Sequence, residues 1–287
     1  MNIPVIHCRK SDPPALSLAK EIIRRILYTP VCIRTLLDKT YPWLNHGAVK
    51  WLRSNLTAEM IGYEWGSGRS TVFFARFMKR LVSLEHKKKW FRRVQGLMAE
   101  CGVTNVDYYL IPPVEEPSPS SAVRPHIWDD LKYTPRKPEF TAYFDHILRY
   151  PDQSFDAVLV DGRARVECAL NALNKIKPGG FLILDNSEWE KYRPIFQVVT
   201  GWGRLVFENG VWQTTIFQKP GGVLSEDTRS NRVKDSVAEE SSERRETRRS
   251  IGQVIYHLSL PISTFLICHL PPASLGHHAA LSFVVIG

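Results

Sequence analysis

Cysteine is scarce in this chain. The five present, Cys8, Cys32, Cys101, Cys168 and Cys268, are widely separated, odd in number and form no Cys-x-x-Cys pair. That spacing excludes a disulfide framework and a structural zinc site, and it suits a reducing compartment. An uninterrupted run of about 18 apolar residues is also missing, so no membrane span is expected. Ile251 to Gly287 is apolar, but Pro261, Pro271, Pro272 and several histidines break it, and membrane association of this tail is not expected. Arg9, Lys10 and Asp12 precede any apolar run, unlike a secretory signal peptide, so the expected location is cytoplasmic. A basic stripe is lacking as well. The formal charge is +9, but the 38 Lys and Arg are scattered through predicted helices and a polar tail, so nucleic acid is not an expected partner.

What is present is a core. Apolar residues make up 44% of the 287, with eight Trp and thirteen Phe, enough for one large α/β domain with appendages. Residues 1–55 read as a helical segment. Leu18, Ile22, Ile23, Ile26 and Leu27 recur at helical spacing between Leu16 and Leu37, with Pro30 expected to interrupt the run, and Gly47–Asn55 carries Val49, Trp51 and Leu52.

Residues 56–220 alternate strand and helix patterns. Met60–Glu64 is a short apolar run leading into Gly66-Ser67-Gly68, and Thr71–Met78 is helical. Arg80–Leu84 is a second strand with Glu85 at its end, Lys88–Cys101 a helix closed by Gly102, and Val106–Ile111 a third strand. The Pro- and Ser-rich stretch 112–138 has no period and reads as an insertion loop. Phe140–Leu148 is helical, Phe155–Val160 a buried strand ending in Asp161-Gly162, and Val166–Ile176 a helix broken by Pro178-Gly179-Gly180. Phe181–Leu184 is a buried strand ending in Asp185-Asn186, and Trp189–Val199 one more helix. Arg204–Phe207 and Val211–Phe217 flank Asn209-Gly210, a hairpin signal. This order predicts a mostly parallel seven-stranded sheet between two helical layers, with an antiparallel strand from the C-terminal hairpin. Residues 221–250 are dominated by Glu, Arg, Ser and Asp and read as a charged, disordered linker; 251–287 is the apolar tail.

On such a sheet a nucleotide-like ligand binds beyond the carboxyl ends of the strands. Gly66 and Gly68 let backbone approach it, Ser70 and Thr71 open the helix facing it, and Glu85 can accept both ribose hydroxyls. Glu64-Trp65-Gly66-Ser67-Gly68-Arg69-Ser70 resembles the acidic-x-Gly-x-Gly-x-Gly motif of the class I S-adenosylmethionine-dependent methyltransferases, with Ser70 in place of the third glycine. Leu84-Glu85-His86, Phe155 to Asp161 and Lys177-Pro178-Gly179-Gly180-Phe181-Leu182 are similar to that family's second-strand, fourth-strand and fifth-strand motifs. The resemblance spans Met60 to Lys219. It implies the three-layer Rossmann-like methyltransferase fold, S-adenosyl-L-methionine as cofactor, and a cofactor site of Glu64, Trp65, Gly66, Ser67, Gly68, Ser70, Thr71, Glu85, His86 and Asp161. In that site Glu64 and the turn hold the methionine moiety while Glu85 holds the ribose.

The implied reaction is methyl transfer to a small-molecule acceptor, at oxygen, with Asp161 and Asp185 as catalytic residues. Asp161, Asp185 and Asn186 are similar to the oxygen triad of the cation-dependent O-methyltransferases, which implies Mg2+ or another divalent cation as a further cofactor. The lysine those enzymes carry after the first Asp is absent here, where Gly162-Arg163-Ala164-Arg165 stands. Arg163 and Arg165 are candidates for pairing with an acidic acceptor, Arg165 reading more as a surface charge. His126, Trp128 and Tyr133 either cover an aromatic acceptor or anchor the insertion. A methyltransferase fold retained only for binding and an NAD-dependent oxidoreductase are the competing readings.

Overall fold

The computed structural model describes residues 3–9, 11–115 and 122–221. The charged linker and the apolar tail read from the sequence lie outside them, apart from Gly221.

Helix α1 (Pro14–Leu37) and helix α2 (His46–Asn55) precede the sheet. The sequence predicts a break at Pro30, but α1 runs through it. A proline there removes one backbone hydrogen bond, and the helix survives because Val31, Leu27 and Tyr28 pack on Val211 and Trp212.

The central domain then alternates β1 (Ile61–Trp65), α3 (Arg69–Phe77), β2 (Arg80–Glu85), α4 (Lys88–Glu100) and β3 (Val106–Leu110). A one-turn helix α5 (Ile127–Asp130), α6 (Thr141–Asp145), β4 (Phe155–Val160), α7 (Arg165–Ala172) and β5 (Ile176–Asp185) follow. The last elements are α8 (Arg193–Val198), β6 (Gly203–Glu208) and β7 (Gln213–Gln218).

The seven strands lie in the order β3-β2-β1-β4-β5-β7-β6. The first five pair in parallel, and β7 runs antiparallel to both β5 and β6. This is the predicted sheet with its reversed strand. Strand alternation divides the core between two faces. Tyr63, Trp65, Val82, Leu84, Val158 and Leu182 pack with residues of α6, α7 and α8. On the other face, Leu81, Leu159 and Ile183 pack with Leu52 of α2 and Phe73 and Phe74 of α3.

Several boundaries differ from the sequence reading: the helix expected over Val166–Ile176 ends at Ala172, and that expected over Phe140–Leu148 is the short α6 flanked by 3-10 turns at Pro138–Phe140 and His146–Arg149. Pro178-Gly179-Gly180 does not precede β5 but lies within it: Ile176 already pairs with Phe155, and a register irregularity between Phe155 and Ala157 absorbs the extra residues. Trp189–Val199 is not one helix, because Pro194 in the first turn starts α8 afresh after a 3-10 turn at Glu190–Tyr192. Val211 and Trp212 belong to the hairpin connection, where Asn209 Oδ1 accepts from both their N–H groups.

Candidate functional site

β1 and β2 end side by side, with Trp65 in register with Leu84. Between β1 and α3 the chain must turn sharply, and Gly66 does so at φ +93°, where a side chain is strained. A Cβ there would also stand 2.6 Å from the Gly162 nitrogen, so the β1 and β4 turns touch through bare backbone. Gly68 differs: the nearest atom to a Cβ built on it is Ser70 Oγ at 3.8 Å.

Glu64 is fully buried beneath this turn and points at α3. Its carboxyl accepts from Ser70 Oγ (2.5 Å), Thr71 Oγ1 (2.6 Å) and Ser83 Oγ (2.5 Å). Burial raises its pKa from 4.5 to about 7, opposed by those three hydroxyls and assisted by Asp161. Ser70, the departure from the glycine motif, is one of the hydroxyls that satisfy the buried acid. The turn's N–H groups are also used internally. Those of Gly66 and Ser67 donate to Leu84 O (2.9 and 3.3 Å), and that of Gly68 to Thr71 Oγ1 (3.0 Å). The Trp65 ring belongs to the core, with Nε1 donating to Tyr143 O at 2.9 Å, so only its backbone stands at the turn.

Glu85 ends β2 and is 3% exposed. One oxygen accepts the N–H groups of His86 (2.8 Å) and Lys87 (2.7 Å); the other has a long contact from Ser67 Oγ at 3.3 Å. Ser67 Oγ also meets Tyr108 Oη at 2.6 Å, and Trp90 Nε1 donates to Ser67 O at 2.7 Å. Tyr108 in turn stacks on Phe91 with ring centroids 4.1 Å apart. The His86 ring packs edge-on against Phe140 and Tyr143, its Nδ1 3.0 Å from Glu85 Oε1.

At the tips of β4 and β5 the structure corrects two expectations. Arg165 is not a surface charge, its side chain being 11% exposed. Its guanidinium pairs with Asp161 Oδ1 (2.9 Å), donates to Asp161 O (2.8 Å), Gly162 O (3.1 Å) and Asn186 Oδ1 (3.2 Å), and bonds Asp185 O. The slot assigned to a divalent cation among Asp161, Asp185 and Asn186 therefore already holds a fixed positive charge. The Asp185 carboxyl accepts from Thr214 Oγ1 at 2.6 Å, and burial holds its pKa well above the usual carboxylate range. No group of three His, Cys, Asp or Glu side chains suited to a metal occurs among the described residues. These residues do not fit a resident divalent cation. Asp161 itself has its pKa raised to about 6 by burial, with Arg165 opposing and Glu85 assisting.

Above the turns sits α6. Tyr143 Oη would lie 2.2 Å from a Cβ on Gly162, and it is buried with no hydrogen-bond partner among the described residues. Burial pushes this phenol well above its ordinary pKa. The insertion is tied down beside it. Trp128 Nε1 donates to Asn171 Oδ1 (2.9 Å), Tyr133 Oη to Glu167 (3.2 Å), and Arg124 is bidentate to Asp145 (3.1 and 3.0 Å). Trp128 and Tyr133 thus anchor the loop, while His126 is exposed.

The structure brings Gly66, Ser67, Gly68, Glu85, His86 and Asp161 together at the carboxyl ends of β1, β2 and β4, with Glu64, Ser70 and Thr71 buried beneath the turn and Asp185 and Asn186 at the end of the adjacent β5. Sequence reasoning missed Ser83, Trp90, Tyr108 and Tyr143. Only Ser83 had a local signal, a hydroxyl on the buried face of an otherwise apolar strand.

No family model matches the chain, and no curated protein matches it. Among solved structures it is similar to an rRNA methylase from Streptococcus thermophilus, at 16% identity and TM-score 0.43, covering 61% of this chain and 96% of that one. A methyltransferase-like protein from Silicibacter pomeroyi is 21% identical with TM-score 0.41, covering 66% and 92%. The N-methyltransferase NodS from Bradyrhizobium japonicum is 14% identical with TM-score 0.39, covering 61% and 94%. These are resemblances of fold, and the functional reading rests on the residues of the site.

Proposed function

We propose that this chain is a class I S-adenosylmethionine-dependent methyltransferase that methylates a small-molecule acceptor at oxygen. The observation that carries the reading is the electrostatic character of the rim. Asp161 helps to raise the pKa of Glu64 and Glu85 helps to raise that of Asp161, while the N–H groups of Gly66, Ser67 and Gly68 are already spent on protein acceptors. With those N–H groups spent and the Glu85 carboxyl at the tip of β2, the turn favours a ligand that is cationic and brings hydroxyl donors, Glu64 lying buried beneath it and Asp161 being paired with Arg165. The same turn disfavours the diphosphate of a dinucleotide, which needs free backbone N–H groups there.

Bound there, S-adenosylmethionine supplies an electrophilic methyl group on a sulfonium. In this reading the open flank of Gly68 admits the ligand, and the less engaged oxygen of Glu85 accepts from the ribose hydroxyls. Glu64 positions the turn through Ser70, Thr71 and Ser83. Asp161 would hold the acceptor's hydroxyl and receive its proton when the methyl passes to oxygen and its bond to sulfur breaks to leave the neutral thioether, and a pKa near 6 leaves this carboxyl ionised at neutral pH yet more basic than a free carboxylate. Arg165 fixes the orientation of Asp161 and stands in place of a metal.

The test is incorporation of label from methyl-labelled cofactor into a whole-cell extract that retains RNA, protein and metabolites, followed by identification of the product. An O-methylated small molecule is the expected result. Label found only in RNA or protein would overturn the acceptor assignment, and no incorporation at all would favour a fold retained for binding.

A further inference from the structure

Helix α1 carries a feature that the methyl-transfer chemistry does not use. Leu18, Ile22, Ile26, Ile33, Leu36 and Leu37 are between 42% and 68% exposed. At about 100° per residue these six fall within a sector about 100° wide, and no charged residue shares that sector. The opposite face holds the helix to the domain: Val31 is buried against Val211 and Trp212, Arg24 donates to Ile6 O at 2.5 Å, and Arg69 donates to Thr35 O at 2.5 Å. Single exposed apolar residues are ordinary, but a charge-free stripe from Leu18 to Leu37, about 30 Å of helix, is not.

We propose that this stripe docks in the plane of an anionic lipid surface. Charge favours that occupant over a second copy of the chain. The helix bears four basic residues, Lys20, Arg24, Arg25 and Arg34, against one acid, Glu21; Lys20 pairs with Asp12 and Arg25 with Glu21, and on the wheel Arg34 and the Arg25–Glu21 pair flank the stripe on opposite sides. Two copies meeting through the stripe would bring together two helices with an excess of basic residues in molecules of formal charge +9, whereas anionic headgroups complement that charge. The helix lies on such a surface and does not cross it. No helix among the described residues is long and apolar enough to span a membrane, and the opposite face of α1 is packed on Val211 and Trp212. This inference is independent of the methyltransferase reading.

Flotation of the full chain with vesicles of phosphatidylcholine, with and without about 30 mol % phosphatidylserine, tests it. The expected result is at least about tenfold stronger partition onto the anionic vesicles, weakening as salt is raised. The exposed triple substitution Ile22→Asp, Ile26→Asp, Ile33→Asp should lose at least about tenfold in partition while keeping the circular dichroism and melting temperature of the parent. Failure of the parent to float, or equal flotation of the triple variant, would overturn the proposal. So would sedimentation velocity showing a parent dimer that the substitutions dissociate, without vesicle binding by either.

Discussion

Gly66 and Gly68 stand two residues apart in one turn under opposite constraints. At Gly66 both the positive φ and the adjacent Gly162 backbone forbid a side chain, so Gly66→Ala should cost about 2 to 4 kcal/mol in chemical denaturation. At Gly68 the backbone is extended and the space open, so Gly68→Leu should leave stability within about 1 kcal/mol while obstructing the ligand. Glu64 carries a pH signature. Its folded pKa of about 7 lies above its ordinary 4.5, so the folded state binds the proton more tightly than the unfolded state. Its contribution is therefore most favourable below about pH 4.5 and declines as pH rises through about 7, by on the order of 3 kcal/mol. Glu64→Gln should remove that slope from unfolding free energies measured between pH 5 and pH 8, and an unchanged slope would count against the buried acid as its source. Arg165→Met should strand Asp161, cost about 3 kcal/mol and move the acidic limb of the pH–rate profile to higher pH, while turnover of the parent stays insensitive to chelator. Glu64 and Glu85 could be singled out in the sequence because each ends an apolar strand pattern. The burial of Arg165 could not, because Asp185, at the end of β5 and one of the residues that enclose it, lies 20 positions further along the chain.

At the scale of elements, strands and helices of the central domain were readable wherever apolar period and turn chemistry agreed. Met60–Glu64 with Gly66, and Lys88–Cys101 with Gly102, are such cases, each within a residue or so of the observed limits. The reading failed where distant contacts overrode a local signal. Pro178-Gly179-Gly180 is a breaker by composition, yet pairing with β4 and β7 draws it into a strand. The insertion has no period because it is held by single bonds from Trp128, Tyr133 and Arg124. Pro30 breaks helices by chemistry, yet α1 tolerates it at the expense of a hydrogen bond. Pro30→Ala should therefore restore that bond and stabilise the chain by about 1 to 3 kcal/mol, seen as a higher melting temperature. A lower one would mean that the helix ends at Pro30 in solution.

Across the whole molecule, the order of the strands gathers the chemistry. Because β1, β2 and β4 are adjacent and parallel, their carboxyl ends deliver Glu64, Glu85 and Asp161 to a single edge. The opposite edge offers a shallow depression lined by Ile61, Arg80 and Asp107, where Arg80 and Asp107 pair at 2.5 Å and no such convergence exists. The central claim is that the carboxylate-rich turn receives an adenosyl sulfonium compound or its thioether product. Isothermal titration of the full chain with S-adenosylhomocysteine, beside NAD and beside the Gly68→Leu variant, tests this most directly. The account predicts one-to-one binding by the parent, at least about tenfold weaker binding by the variant, and no heat from NAD. Binding of NAD instead, or equal affinity of parent and variant for S-adenosylhomocysteine, would contradict it.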